Sequence, residues 1–273
     1  MSYDLIKYPR TPHLEGSRLQ EGDEDLAQVR FSEIAGKFIV VEEKCDGANS
    51  AISFDSNGEL KLQSRGHFLT GGGREKHFNF LKQWAEVHRN DFYEVLGSRY
   101  IMYGEWMYAK HSIFYNALPH YFLEFDILDR ETGRFLDTAS RHEMLALLPV
   151  VSVPVLYRGS FSKLSDLTAL VGHSKYIRDD FRENLRAYAE GAGLNVEQVL
   201  AETHEEPTME GLYLKVEDGG EVVGRLKYVR VSFLQTVLAS GTHWLQRPIV
   251  PNQLARPMDD LFLPTLPEIP EGV

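Results

Sequence analysis

The chain has 273 residues, 43% of them hydrophobic, enough to bury a substantial core without covalent staples. Its single cysteine, Cys45, excludes an intramolecular disulfide, and no apolar stretch approaches the roughly 20 residues of a membrane-spanning helix. The formal net charge of −11 runs against a nucleic-acid partner, because phosphate binding draws on clustered Lys and Arg.

The N-terminal residues hold no basic region followed by an apolar run, so no signal peptide is expected, and the lone thiol fits a reducing, cytoplasmic setting. The first strand candidate, 38–41, runs toward Asp46-Gly47, a dipeptide that alone predicts a hairpin turn without function. Residues 51–54 before Asn57-Gly58 predict another hairpin. A basic stretch follows with Lys61, Arg65, Arg74 and Lys76, and the run Gly71-Gly72-Gly73-Arg74 lacks the Lys-Ser or Lys-Thr of a phosphate-cradling loop, so a connector is expected. Aromatic and aliphatic spacing predicts a helix over 75–96, and strands follow at 100–105 and 121–128.

Residues 163–203 are expected to form a helical insertion capped by Ser162 or Ser165 and closed before Pro207. Residues 212–216 and 222–231, joined by Asp218-Gly219-Gly220, predict a further hairpin. No Asp or Glu occurs from Val222 to Met258, where Arg225, Lys227, Arg230, Arg247 and Arg256 supply a candidate basic surface despite the net charge. The proline-rich end, from about 248, is expected to drape over the surface. The expectation is one α+β domain over 1–235, with an insertion at about 160–205 and a C-terminal extension, 236–273, that is no separate domain. Ten histidines without zinc spacing predict no structural metal.

The chemistry gathers in short motifs: Glu42-Glu43-Lys44-Cys45-Asp46-Gly47-Ala48-Asn49, Ser64-Arg65-Gly66, Tyr103-Gly104-Glu105-Trp106, Phe122-Leu123-Glu124-Phe125-Asp126-Ile127, Glu210-Gly211-Leu212-Tyr213-Leu214-Lys215 and Arg225-Leu226-Lys227. In this order they resemble the covalent nucleotidyltransferase superfamily of polynucleotide ligases and mRNA capping enzymes. Asn49, five residues after the lysine, makes the likeness closest to ATP-dependent RNA ligases of the phage RNA ligase 2 type. The opening Lys7-Tyr8-Pro9-Arg10-Thr11-Pro12-His13-Leu14 and the run 105–115 also look like a bacterial branch of RNA ligases. The resemblance implies the nucleotidyltransferase (ATP-grasp-like) fold of antiparallel sheets with flanking helices. It also implies ATP, Mg²⁺ or Mn²⁺, and an RNA with 5′-phosphate and 3′-hydroxyl ends, which a separate end-healing kinase or phosphatase would prepare.

Residue by residue, the resemblance makes Lys44 the nucleophile that carries AMP. An attacking amine must be neutral, so this lysine needs its pKa lowered by nearby cations or a metal. Arg225 and Lys227, two apart on a strand, share a face and are expected at the α-phosphate. The family usually has lysine at both places, and an arginine at 225 keeps the charge but cannot act as a proton donor. Glu105 and Glu210 are the expected metal and nucleotide carboxylates, hard oxygen ligands suited to Mg²⁺. Phe125 is expected to stack on the adenine and Arg65 to lie near the ribose and the 3′-hydroxyl strand, while Glu42, which shares a strand face with Lys44 by the period of two, is expected to read the adenine amino group. Asp46, Gly47 and Asn49 complete the nucleotide site. Rival readings are a GTP-using capping enzyme or small DNA ligase, which the 46 residues after Lys227 disfavour for want of an oligonucleotide-binding domain of ~100 residues. A silent nucleic-acid-binding module is disfavoured by the presence of Lys44 and Glu210.

Overall fold

The computed structural model describes residues 4–19, 28–239 and 247–269. Segments 240–246 of the acid-free stretch and 270–273 of the C-terminal extension lie outside them. Among the described residues, twelve strands alternate with helices in an α+β arrangement: β1 (His13–Leu14), β2 (Gln28–Val29), β3 (Ile39–Lys44), β4 (Ala48–Phe54), β5 (Leu60–Ser64), β6 (Tyr100–Trp106), β7 (Phe122–Asp129), β8 (Arg134–Phe135), β9 (Val151–Ser152), β10 (Val155–Gly159), β11 (Gly211–Asp218) and β12 (Glu221–Val229). The helices are α1 (Asn79–Val87), α2 (Arg89–Leu96), α3 (Thr138–Leu145), α4 (Leu164–Thr168), α5 (Phe181–Gly191), α6 (Val196–Ala201) and α7 (Val231–Ala239).

The strands form two sheets. One has the order β10-β3-β11-β12-β1-β2, the other β5-β4-β6-β7-β8, with β9 beside β7. Pairing is mainly antiparallel, but β1 runs parallel to both β12 and β2. The Asn57-Gly58 and Gly219-Gly220 hairpins form as expected, with left-handed φ of 75° at Gly58 and of 60° and 86° at the glycine pair.

The expected hairpin at Asp46-Gly47 does not exist. β3 pairs with β10 and β11, β4 with β5 and β6, and residues 45–47 carry the chain from one sheet to the other. Gly47 is absent from the positive-φ glycines, so it is not there to make a type I′ turn. It serves a close approach instead: an added Cβ would lie 2.7 Å from Met107 Sδ and 2.8 Å from the Trp106 carbonyl oxygen.

The expected 75–96 helix is broken into a 3₁₀ turn, α1 and α2. His88, between α1 and α2, leaves helical geometry and its Nε2 meets the Leu261 carbonyl oxygen at 2.9 Å. The 163–203 segment holds three short helices rather than one, and neither serine caps α4, whose N-cap is Lys163 without a side-chain bond. Its α5 buries Phe181, Leu185 and Ala189 on one face, in the same core as Trp84, Phe92 and Phe122. The proline-rich end does not merely drape. Val250, Asn252, Gln253 and Ala255 make backbone hydrogen bonds to residues 108–118, and Leu261 is fully buried. Among the described residues no helix is long and apolar enough to cross a membrane.

The outer face of the first sheet is apolar, with Ile39, Val41, Leu212, Leu214 and Leu226 in one cluster. By the period of two, Glu42, Lys44, Tyr213, Lys215, Arg225 and Lys227 occupy the opposite face. That face carries the charged side chains.

Candidate active site

Lys44 ends β3, and its Nζ lies 2.7 Å from Glu210 Oε1. Register produces the pair: Gly211 is the cross-strand partner of Lys44, and Glu210 immediately precedes it. Gly211 must be glycine, because an added Cβ would fall 1.9 Å from the Tyr228 carbonyl oxygen. The Lys44 side chain keeps 24% of its surface exposed against 3% for Glu210, so a buried carboxylate holds a partly exposed lysine.

Glu105 reaches this point from the other sheet, accepting the Gly47 backbone N–H. Asn49 stands beside it, opposite Glu105 in the β4–β6 register, with its Oδ1 buried and without a hydrogen-bond partner. Arg65 lies one residue past the Ser50–Ser64 pair, so Arg65, Asn49 and Glu105 follow one another across the sheet, and Arg65 is exposed.

Asp46 is not a turn former. Its Oδ2 accepts the Ser112 and Ile113 backbone N–H groups at 2.8 and 2.9 Å, and its own N–H donates to Tyr115 Oη at 2.9 Å. The residue thus anchors the 107–118 loop beneath Lys44.

The electrostatics follow from burial among like charges. Burial pushes Glu105 up to about 8 and Glu210 up to about 7, with Lys44 pulling both back. Burial alone would lower the Lys44 ammonium, but Glu210 and Glu105 outweigh it and hold it above the usual lysine value. Burial also raises Asp46, and raises the Cys45 thiol well beyond its ordinary range, leaving an inert thiol.

Among the described residues no three His, Cys, Asp or Glu side chains gather to hold a metal. Two mutually repelling carboxylates, Glu105 and Glu210, nevertheless suit Mg²⁺ or Mn²⁺, which complete their shells with water and phosphate oxygens.

Two of the expected site residues, Glu42 and Arg225, lie elsewhere, in a buried ionic layer between the sheets, with Phe125 at its edge. Arg141 Nη1 donates to both Glu124 oxygens at 2.6 Å, and Nη2 to Glu42 Oε1 at 2.7 Å. Lys215 Nζ sits 2.9 Å from Glu42 Oε2 and 3.4 Å from Asp126 Oδ1. Arg225 Nε donates to Asp126 Oδ2 at 2.9 Å while its guanidinium stacks 3.7 Å over the Phe135 ring. Phe125 packs against Tyr8 with ring centroids 5.0 Å apart. Lys227, in contrast, lies close enough to Glu210 to lower its pKa, so the Arg225–Lys227 pair is divided between the two regions.

One expectation needs correction, and one group of residues had no expectation attached to it as a group. The acid-free stretch is not a free basic surface: Arg225 is paired with Asp126, Arg230 donates to the Met209 and Thr208 carbonyl oxygens, and Arg247 lies 3.6 Å from Glu202 with 8% of its side chain exposed. Nor were the residues of the ionic layer anticipated as a unit. Lys215 and Asp126 stand inside quoted motifs, but Arg141 lies on α3, which no apolar period marked. The signal available was Asp137, whose side chain caps that helix through the Ser140 N–H at 2.8 Å.

A family model described as RNA ligase matches residues 37–229. Comparison with curated proteins finds no match. Among solved structures, the chain is similar to an arginine-to-alanine variant of Naegleria gruberi RNA ligase with ATP and Mn, at 16% identity over 84% of this chain and 57% of that one, with a TM-score of 0.50. It is also similar to a lysine-to-alanine variant with ATP and Mn (15% identity, 85% and 63% coverage, TM-score 0.48) and to a lysine-to-methionine variant with AMP and Mn (15%, 75% and 53%, 0.49). The chain spans little more than half the length of most of these solved chains.

Proposed function

The chain belongs to the RNA ligase family, whose model covers residues 37–229, and on that premise we propose that it is an ATP-dependent RNA ligase that adenylates itself on Lys44. The observation that carries this reading is the Lys44 Nζ at 2.7 Å from Glu210, on a partly exposed side chain with Glu105 across from it. Glu210, the acceptor nearest the Nζ, holds the amine in place, and cations drawn to the site would lower the amine's pKa enough to free it. The freed amine attacks the α-phosphorus of ATP. A nitrogen–phosphorus bond forms, the bond to the bridging oxygen breaks, and pyrophosphate leaves. Lys227, on the same sheet face, faces the negative charge that develops on the α-phosphate.

A divalent cation on Glu105 and Glu210 would neutralise the carboxylates that now hold the ammonium and would screen the triphosphate. The choice of ATP with Mg²⁺ or Mn²⁺ is supported by the Naegleria gruberi RNA ligase variant solved with ATP and Mn. In the second step an RNA 5′-phosphate oxygen displaces Lys44 and takes the AMP. In the third, a 3′-hydroxyl displaces AMP and the strands are joined. The adenylyltransferase domain is assigned to 1–235, with the extension packed onto it. A cytoplasmic setting, with a separate kinase or phosphatase preparing the RNA ends, completes the reading.

The test has two parts. Incubation with each α-labelled nucleoside triphosphate and denaturing electrophoresis should leave label on the protein from ATP alone. Nicked duplexes that differ only in the sugars flanking the break should be sealed when the 3′-hydroxyl strand ends in RNA. Equal sealing of all-DNA nicks would remove RNA from the reading, and label from GTP would replace the nucleotide.

A further inference from the structure

Asp46 stands two residues after the nucleophile, and everything that grips it belongs to the 107–118 loop. Ser112 and Ile113 donate to its carboxylate, and Tyr115 Oη accepts its N–H. That loop has no strand of its own at this point. It is held by the C-terminal segment, which runs along it in extended form: Lys110 N–H donates to Val250 O at 2.8 Å, Asn252 N–H to Tyr108 O at 2.8 Å, Gln253 N–H to Tyr115 O at 2.9 Å, and Leu118 N–H to Gln253 O at 2.9 Å. The groups that hold Asp46 therefore lie between two points at which the strap is fastened.

At the centre of the strap is Asn252, 1% exposed. Its Oδ1 accepts the Tyr115 backbone N–H at 2.9 Å and its Nδ2 donates to the Met107 carbonyl oxygen at 2.6 Å, so one amide ties together both ends of the loop. Its own carbonyl oxygen accepts Tyr121 Oη at 2.8 Å. A buried asparagine with both halves of its amide satisfied by backbone is expensive to replace and fixes geometry at either side. This polar tie is separate from the strap's apolar anchor, Leu261, which is fully buried farther along.

We propose that Asn252 is a positioning residue for self-adenylation: through Tyr115 and the 107–118 loop it sets Asp46, and with it the approach of Lys44 to the nucleotide. This rests on the reading of Lys44 as the adenylated nucleophile. Because misplacement of a reacting group lowers the rate rather than substrate affinity, loss of Asn252 should act on the maximal rate.

The experiment is single-turnover adduct formation over a range of ATP concentrations, with thermal stability measured on the same preparations. Wild-type protein must first form the adduct; if it does not, the proposed function fails and not merely this inference. Asn252→Ala should then lower the maximal rate by roughly tenfold to a hundredfold, while the half-saturating ATP concentration changes less than about twofold. Asn252→Asp, whose carboxyl in its neutral form keeps both an acceptor for the Tyr115 N–H and a donor for the Met107 carbonyl oxygen, should recover part of the rate and covers the case in which the alanine variant does not fold. Leu261→Ala is the control: it should lower the melting temperature and leave the rate per folded molecule unchanged. A normal maximal rate in Asn252→Ala, or equal rate losses in Leu261→Ala and Asn252→Ala at matched stability, would overturn the proposal, as would Asn252→Asp folding without any recovery.

Discussion

Replacing Arg141 by methionine removes the cation at the centre of the buried layer and leaves its two carboxylates behind. Glu42 keeps Lys215 at 2.9 Å, but Glu124 keeps only the Ser152 hydroxyl at 2.7 Å. Breaking a buried ion pair from one side costs about 3–5 kcal/mol, because the remaining charge has lost both water and partner. Unfolding entropy of about 2.1 cal/mol/K per residue gives roughly 0.6 kcal/mol/K for a chain of this length, so Arg141→Met should melt about 5–9 °C below wild type. Circular-dichroism melts and urea titrations read both quantities. Adding Glu124→Gln removes the worse of the two orphaned charges, so the double variant should regain part of the loss. A loss under about 1 kcal/mol, or a double variant as unstable as the sum of the singles, would mean that these side chains are solvated and not sealed between the sheets.

Gly47→Ala forces a Cβ against the Trp106 carbonyl oxygen and Glu105 Cγ, so it should destabilise by about 1–3 kcal/mol in urea titrations and slow adduct formation. Glu210→Ala and Glu105→Ala should each slow single-turnover adduct formation by ~100-fold, and near-normal rates in both would remove these carboxylates from the site. Lys110 is pushed down to about 8 by burial and by Arg247. With an unfolded value of roughly 10.4, the unfolded chain holds more protons between these values, so stability rises with pH across that window. Relative to Lys110→Met, wild type should gain about 2 kcal/mol between pH 7.5 and 9.5, as read by urea titrations at each pH.

The hairpins at Asn57-Gly58 and Gly219-Gly220 were legible because local chemistry decides them: a left-handed glycine between alternating strands leaves little choice. Asp46-Gly47 carries the same local signal and does something else, since its two flanking strands find better partners in different sheets. Propensity cannot see that choice. Lys44, Glu105 and Glu210 were found from motif order, and they meet because strand register brings positions far apart in the chain to one point. Glu42 and Arg225 illustrate the limit. Period-two alternation placed them on the correct face, but not at the correct depth, because the cation that draws Glu42 inward, Arg141, sits on a helix with no apolar period. The same holds for the C-terminal strap, whose prolines signal an irregular segment without indicating that Asn252 is buried in it.

The central claim is that Lys44 is the residue that carries the nucleotide. Intact-mass measurement after mixing with ATP and Mg²⁺ should show an acid-labile adduct about 329 Da heavier, one AMP less water, on the wild type and none on Lys44→Ala. An adduct of the same mass on Lys44→Ala, or none on properly folded wild type, would contradict the account.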